Sequence, residues 1–142
     1  MNDLLITALS QYGIKEISGE KDNNSILTYF KECGHQWVKD DETAWCSAFV
    51  NWCAKITGYE YTKELNAKSW LEVGEEIKNP VMGDIVVFWR ITKNSGYGHV
   101  AIYINKVNDE IYCLGGNQNN MVNISSYPKD RVIGFRRLSK IK

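Results

Sequence analysis

The chain has 142 residues with 17 Lys+Arg against 17 Asp+Glu, so its formal net charge is zero. Hydrophobic residues make up 44% and aromatics 12%, which is a globular composition long enough for one domain spanning residues 1–142 and a core that needs no staple. The balance of charge argues against binding nucleic acid by counterion release, which needs a basic face. No apolar run approaches the ~18 residues of a membrane span. Met1 to Ala8 lacks the basic and long apolar regions of a secretory leader.

In chain order, the first half reads as helices. Leu4, Leu5, Ala8, Leu9 and Tyr12 form one apolar face, which predicts a helix from about Asp3 to Tyr12 with Gly13 as its stop. A second helix follows Asn23 or Asn24 as N-cap, with Ile26, Leu27, Phe30 and Cys33 as its stripe and Gly34 after it. Trp45, Phe49, Trp52, Cys53 and Ile56 recur at helical spacing in a third, which Asp40, Asp41 or Thr43 could cap and Gly58 ends. A short fourth helix is expected over about Glu64 to Val73.

The period then changes. Ile85 to Trp89 is a short apolar run rich in β-branched residues behind Gly83-Asp84, and it reads as a buried strand. Ile91 to Gly98 is a polar loop. His99 to Ile104 and Glu110 to Leu114 are strands joined at Asn108-Asp109, a hairpin signal. Val122 to Ile124 and Arg131 to Arg136 complete the strands. Helices followed by strands indicate an α+β fold, with N-terminal helices packed on a C-terminal antiparallel sheet.

Four cysteines occur, at 33, 46, 53 and 113, none with CxxC spacing. Neither a disulfide framework nor zinc is expected, since the close pair Cys33 and His35 is too tight for a metal finger. Cys46 differs from a plain buried thiol because it falls in the first helical turn. Unpaired backbone N–H groups there carry partial positive charge and favour the nucleophilic thiolate. His99 opens a strand, where a side chain can face a cleft. Hairpin register supplies a third residue. A three-residue loop puts His99 opposite Asn117, and a two-residue loop puts it opposite Gln118. Either amide could accept an imidazole N–H and fix its tautomer. The bland alternatives are a buried helix cysteine, an edge histidine with a structural hydrogen bond, and a turn asparagine.

Asp41-Glu42-Thr43-Ala44-Trp45-Cys46-Ser47-Ala48-Phe49-Val50-Asn51-Trp52 resembles the nucleophile segment of small bacterial cell-wall hydrolases of the CHAP and NlpC-type, papain-like superfamily. Gly83 to Phe88, Gly98-His99-Val100-Ala101 and Leu114 to Gln118 resemble later blocks of that family in the same order, as do Ala67 to Leu71 and Val132 to Arg136. The resemblance runs from about Gly13 to Arg136. It implies a papain-like fold and a cysteine amidase or endopeptidase that cleaves peptidoglycan through a thioester, without metal or cofactor.

Carried over by position, Cys46 would be the nucleophile, His99 the base and Asn117 the orienting residue. Many CHAP domains have a Glu two residues before this Asn, where this chain has Gly115, so the partner of His99 would be an amide alone. Trp45, Trp70, Trp89, Tyr97 and Gln118 are candidates for contacting substrate. The expected partner is peptidoglycan, met by a monomer made in the cytoplasm that reaches the wall as a phage lysin or as a secreted toxin with an immunity protein. A thiol acyltransferase or lipid hydrolase on the same fold, or a non-catalytic wall-binding module, are the alternatives.

Overall fold

The structure is a computed structural model and describes residues 2–17, 23–32, 34–35 and 45–141. Cys33 and the cap candidates Asp40, Asp41 and Thr43 lie outside the described residues. Among the described residues three helices, α1 (Asp3–Leu9), α2 (Asn24–Glu32) and α3 (Cys46–Thr57), precede six strands. These are β1 (Glu75–Ile77), β2 (Ile85–Trp89), β3 (Gly98–Val107), β4 (Glu110–Gln118), β5 (Met121–Pro128) and β6 (Val132–Arg137). They form one antiparallel sheet in the order β1-β6-β2-β3-β4-β5. The α+β expectation, helices first and antiparallel sheet second, is met.

α1 is capped by Asn2, whose side-chain oxygen accepts the Leu5 N–H at 2.9 Å. It stops at Leu9, short of the expected Tyr12. Beyond it the backbone is drawn to the sheet: Gly13 N–H donates to Val122 O at 2.8 Å and Val122 N–H to Ile14 O at 2.7 Å. Tyr12 is thereby left exposed. Asn23 caps α2 through its side-chain oxygen on the Ser25 N–H, 2.9 Å away. The central helix, α3, ends at Gly58 with φ 81°, a left-handed cap that a side chain would strain. The fourth predicted helix is a tighter 3₁₀ segment, Ala67–Glu72, capped by Asn66.

The sheet has a face toward the helices and a face away from them. Ile85, Val87, Val100, Ile102 and Leu114 join Phe49, Val50, Cys53 and Ala54 of α3 in the main core. Val86, Phe88, Ala101, Tyr103, Ile111 and Cys113 make a second cluster on the opposite face, with Tyr127, Val132 and Phe135 packed against it. Both faces of β2 are therefore covered, which is why its sequence is uniformly apolar rather than alternating. The motif Gly83-Asp84 has a structural role. Asp84 is buried, accepts the Val81 N–H at 2.8 Å and takes both Nε and Nη2 of Arg137 at 2.9 Å, so it ties the start of β2 to the end of β6.

β1 was not anticipated. Glu75-Glu76-Ile77 carries little strand signal and is held as an edge by pairing with β6. β5 extends well beyond the predicted Val122 to Ile124, and its alternation of half-buried and exposed residues explains the weak signal.

Candidate functional site

Cys46 is the first residue of α3. The N-cap is Trp45, and its indole makes no cap hydrogen bond. The free N-terminal N–H groups of the helix are thus left for other acceptors. One is the Cys46 sulfur itself, whose thiolate form the backbone N–H groups of Ser47 and of Val100 on β3 favour. Burial pushes the thiol up, but the charge of His99, a hydrogen bond to its ring and these two N–H groups outweigh burial and leave the Cys46 thiol below its usual value. Cys53 and Cys113 behave oppositely. Both are held protonated by burial.

His99 lies on the face of β3 away from the helices, directly opposite Phe88 of β2. Its ring stacks against Phe88, with centroids 6.2 Å apart, and lies tilted against Tyr127 of β5 at 5.1 Å. Burial would lower the affinity of His99 for a proton. The Cys46 thiolate charge, the hydrogen bond with Cys46 and the bond to Gln118 reverse this and raise its pKa, while the Arg90 charge opposes them. The ring and the sulfur therefore favour an imidazolium–thiolate pair.

The third member is Gln118, which accepts from His99 Nε2 at 2.9 Å. The direction of this bond follows from the other end of the amide. Gln118 Nε2 donates to Asn123 O at 2.8 Å and to Asn123 Oδ1 at 3.0 Å, so only Oε1 can face the ring. His99 Nε2 consequently carries its proton, and Nδ1 is the nitrogen left for the sulfur. The protonated Cys113 thiol lies 3.5 Å from the same Oε1, and Tyr127 Oη is 3.4 Å from His99 Nε2.

Two irregularities bring Gln118 to this place. The hairpin loop has two residues, with Val107 paired to Glu110, the case that puts His99 opposite Gln118. A bulge between Tyr103 and Asn105 then shifts the register by one, to Ile102 opposite Leu114. Continued regularly, that shift would bring Asn117 opposite His99. Asn117, however, has φ 59° and sits in a second bulge, between Gly115 and Gln118. The extra residue turns Gln118 back to the face of Cys113 and Gly115. The carry-over of Asn117 as orienting residue is corrected accordingly: Asn117 lines the neighbouring cleft, and Gln118 holds the ring. Gly115 is required by the same arrangement. A Cβ there would fall 2.8 Å from Gln118 Oε1 and 2.9 Å from the Ala101 side chain, so a glutamate at this position and Gln118 in its present place exclude each other.

The candidate substrate contacts divide. Trp45 is fully buried, donates its indole N–H to Glu16 at 2.7 Å and lies against the backbone of Gly116. Trp70 is also fully buried and donates to Ser47 Oγ at 3.0 Å. Both are core residues and are withdrawn as groove-lining groups, because an amphipathic stripe does not distinguish core aromatics from groove aromatics. Trp89 does line a cleft, whereas Tyr97, 65% exposed on the loop between β2 and β3, does not.

That cleft has a volume of about 370 Å³ and opens beside His99. Arg90, Asn119, Asn120, Tyr127 and Arg131 line it and were not singled out from the sequence. Tyr127 went unnoticed because the predicted β5 stopped short of it. The arginines flank strand ends, where charge by itself carries no site signal. Among the described residues no group of three or more His, Cys, Asp or Glu gathers as metal ligands would. Among them, too, no helix is long and apolar enough to cross a membrane.

Comparison with known proteins agrees with this architecture. Residues 38–117 match the CHAP domain family model. No curated protein matches the chain. A solved structure, described as similar to lipoprotein, NLP/P60 family, from Staphylococcus aureus subsp. aureus Mu50, superposes with a TM-score of 0.58 at 20% identity over 95% of this chain. The chain spans 40% of the length of that relative, so the likeness is one of fold. With the family model covering more than half of its length, the chain belongs to the CHAP domain family and has the fold of a peptidoglycan-hydrolase-like domain.

Proposed function

We propose that the protein is a cysteine-dependent peptidoglycan hydrolase, with Cys46 as nucleophile, His99 as general acid and base, and Gln118 as the positioning residue for the imidazole. The observation that carries this reading is an arrangement: Cys46 at the first position of α3, His99 beside it on β3, and Gln118 Oε1 2.9 Å from His99 Nε2; the lowered Cys46 thiol and raised His99 agree with it.

The chemistry runs in two halves. The Cys46 thiolate attacks the carbonyl carbon of a stem-peptide amide, forming a C–S bond and moving the carbonyl π electrons onto oxygen. The Cys46 N–H, at the first position of α3 and without a partner inside the helix, is available to the oxyanion. His99 then gives its Nδ1 proton to the amide nitrogen as the C–N bond breaks, leaving a thioester. Water attacks that thioester, its proton passes to His99, and the Cys46 thiolate departs. Gln118 keeps Nε2 protonated throughout, so Nδ1 remains the nitrogen that exchanges protons.

Cys46→Ala is expected to abolish release of soluble muropeptides from purified sacculi while the far-UV circular dichroism stays unchanged. Release that persists in this variant removes Cys46 from the chemistry. Mass analysis of the fragments from the unmodified protein identifies the bond that is cut. Sacculi that are bound but never cut would support the non-catalytic alternative.

A further inference from the structure

We infer that the cleft beside His99 is a carboxylate subsite, in which Arg90 and Arg131 grip a free carboxylate of the substrate; this rests on the hydrolase reading above. The cleft is lined by two guanidinium groups and no carboxylate. Among the described residues neither arginine side chain meets an acidic group. Arg131 lies over the Trp89 ring at 5.1 Å, which holds its plane without using its N–H donors. The chain as a whole carries 17 positive against 17 negative side chains. A cleft with only positive charges is therefore a local choice and not a reflection of a basic protein.

The remaining wall suits the same ligand. Asn119 and Asn120 both have left-handed backbones, φ 54° and 61°, and bring short amide side chains to the rim. These side chains supply neutral donors beside the arginine forks, a combination that matches the planar, doubly accepting carboxylate. The charge of Arg90 also disfavours the His99 imidazolium. A bound carboxylate offsets that repulsion and so favours the protonated ring that the leaving amine requires. The cleft meets the side of the His99 ring remote from the sulfur. Gln118 and Tyr127, which contact Nε2, line it and Cys46 does not. A carboxylate held there lies behind the imidazole and leaves Nδ1 and the sulfur to the scissile amide.

Two stem-peptide fragments identical except for one free carboxylate or a carboxamide in its place provide the test. They are titrated by NMR into the Cys46→Ala protein, which binds without turnover. The free acid is expected to bind about tenfold tighter at low salt, as charge-assisted arginine bonds allow. The preference should shrink in Arg90→Gln and in Arg131→Gln and vanish in the double variant. Equal binding of the two peptides, binding of neither, or a preference that survives in the double variant overturns the subsite. A phosphodiester polymer that competes better than the free acid also overturns it, since the arginines would then read a wall polymer. The two readings fail separately. If the unmodified protein discriminates between the peptides but cuts neither, the hydrolase reading falls and the subsite stands. If it cuts both with equal KM, the subsite falls and the hydrolase stands.

Discussion

Replacing Gln118 by leucine keeps most of the side-chain volume and removes the acceptor on His99. The lost bond is buried, is 2.9 Å long and ends on a ring whose charged form Cys46 and Gln118 favour. A hydrogen bond to a charged group is worth roughly 1.5–3 kcal/mol, or about 10- to 150-fold in a rate that depends on that charge. Alkylation of Cys46 by iodoacetamide, followed by peptide mass analysis near neutral pH, reads the ion pair without needing a substrate. Gln118→Leu should slow it within that range, and the His99 pKa followed by NMR should fall, because the Gln118 bond is one of the groups that raise it. Asn117→Ala should leave both nearly unchanged. Gln118→Glu should not outperform the native residue. Its second oxygen would point at Asn123 O, now 2.8 Å from the amide nitrogen, and at Asn123 Oδ1, so two acceptors would face a third. If Gln118→Leu reacts like the unmodified protein while Asn117→Ala slows, the assignment of the ring's partner is wrong.

Three other outcomes follow from the same geometry. The pH profile of Cys46 alkylation should have its inflection below the ordinary thiol value, and His99→Ala should move it upward, since only the Ser47 and Val100 N–H groups then oppose burial; an unmoved inflection would mean that the ring does not stabilise the thiolate. Gly115→Glu should displace Gln118 and slow alkylation, because its Cβ would lie 2.8 Å from Gln118 Oε1; faster reaction would show that the carboxylate can take over the ring. Gly116→Ala should lower the unfolding free energy by about 1–3 kcal/mol, measured by denaturant titration, because the new methyl would meet the buried Trp45 ring at 2.6 Å; unchanged stability would show that the ring can yield.

The local sequence was enough to set the α3 stripe, its stop at Gly58, the strand-opening His99 and a turn at Asn108-Asp109, while the length of that turn was left between two residues and three. Each follows from a period of 3.6 or 2, or from a residue with restricted backbone preferences, and each needs only near neighbours. Cys46 at a helix start could be read the same way. What the sequence left open was which amide meets His99. Two bulges, one in β3 and one at Asn117 in β4, decide it, and a bulge arises from packing between strands rather than from the residues of one strand. The same limit misplaced Trp45 and Trp70. A fully buried indole bonded to Glu16 or Ser47 and an indole lining a groove have the same spacing in the chain, and only the folded neighbours tell them apart. The cleft with Arg90 and Arg131 is likewise tertiary. Its two cations stand 41 positions apart in the sequence and share one wall because β2 and β6 pair at the ends from which they project.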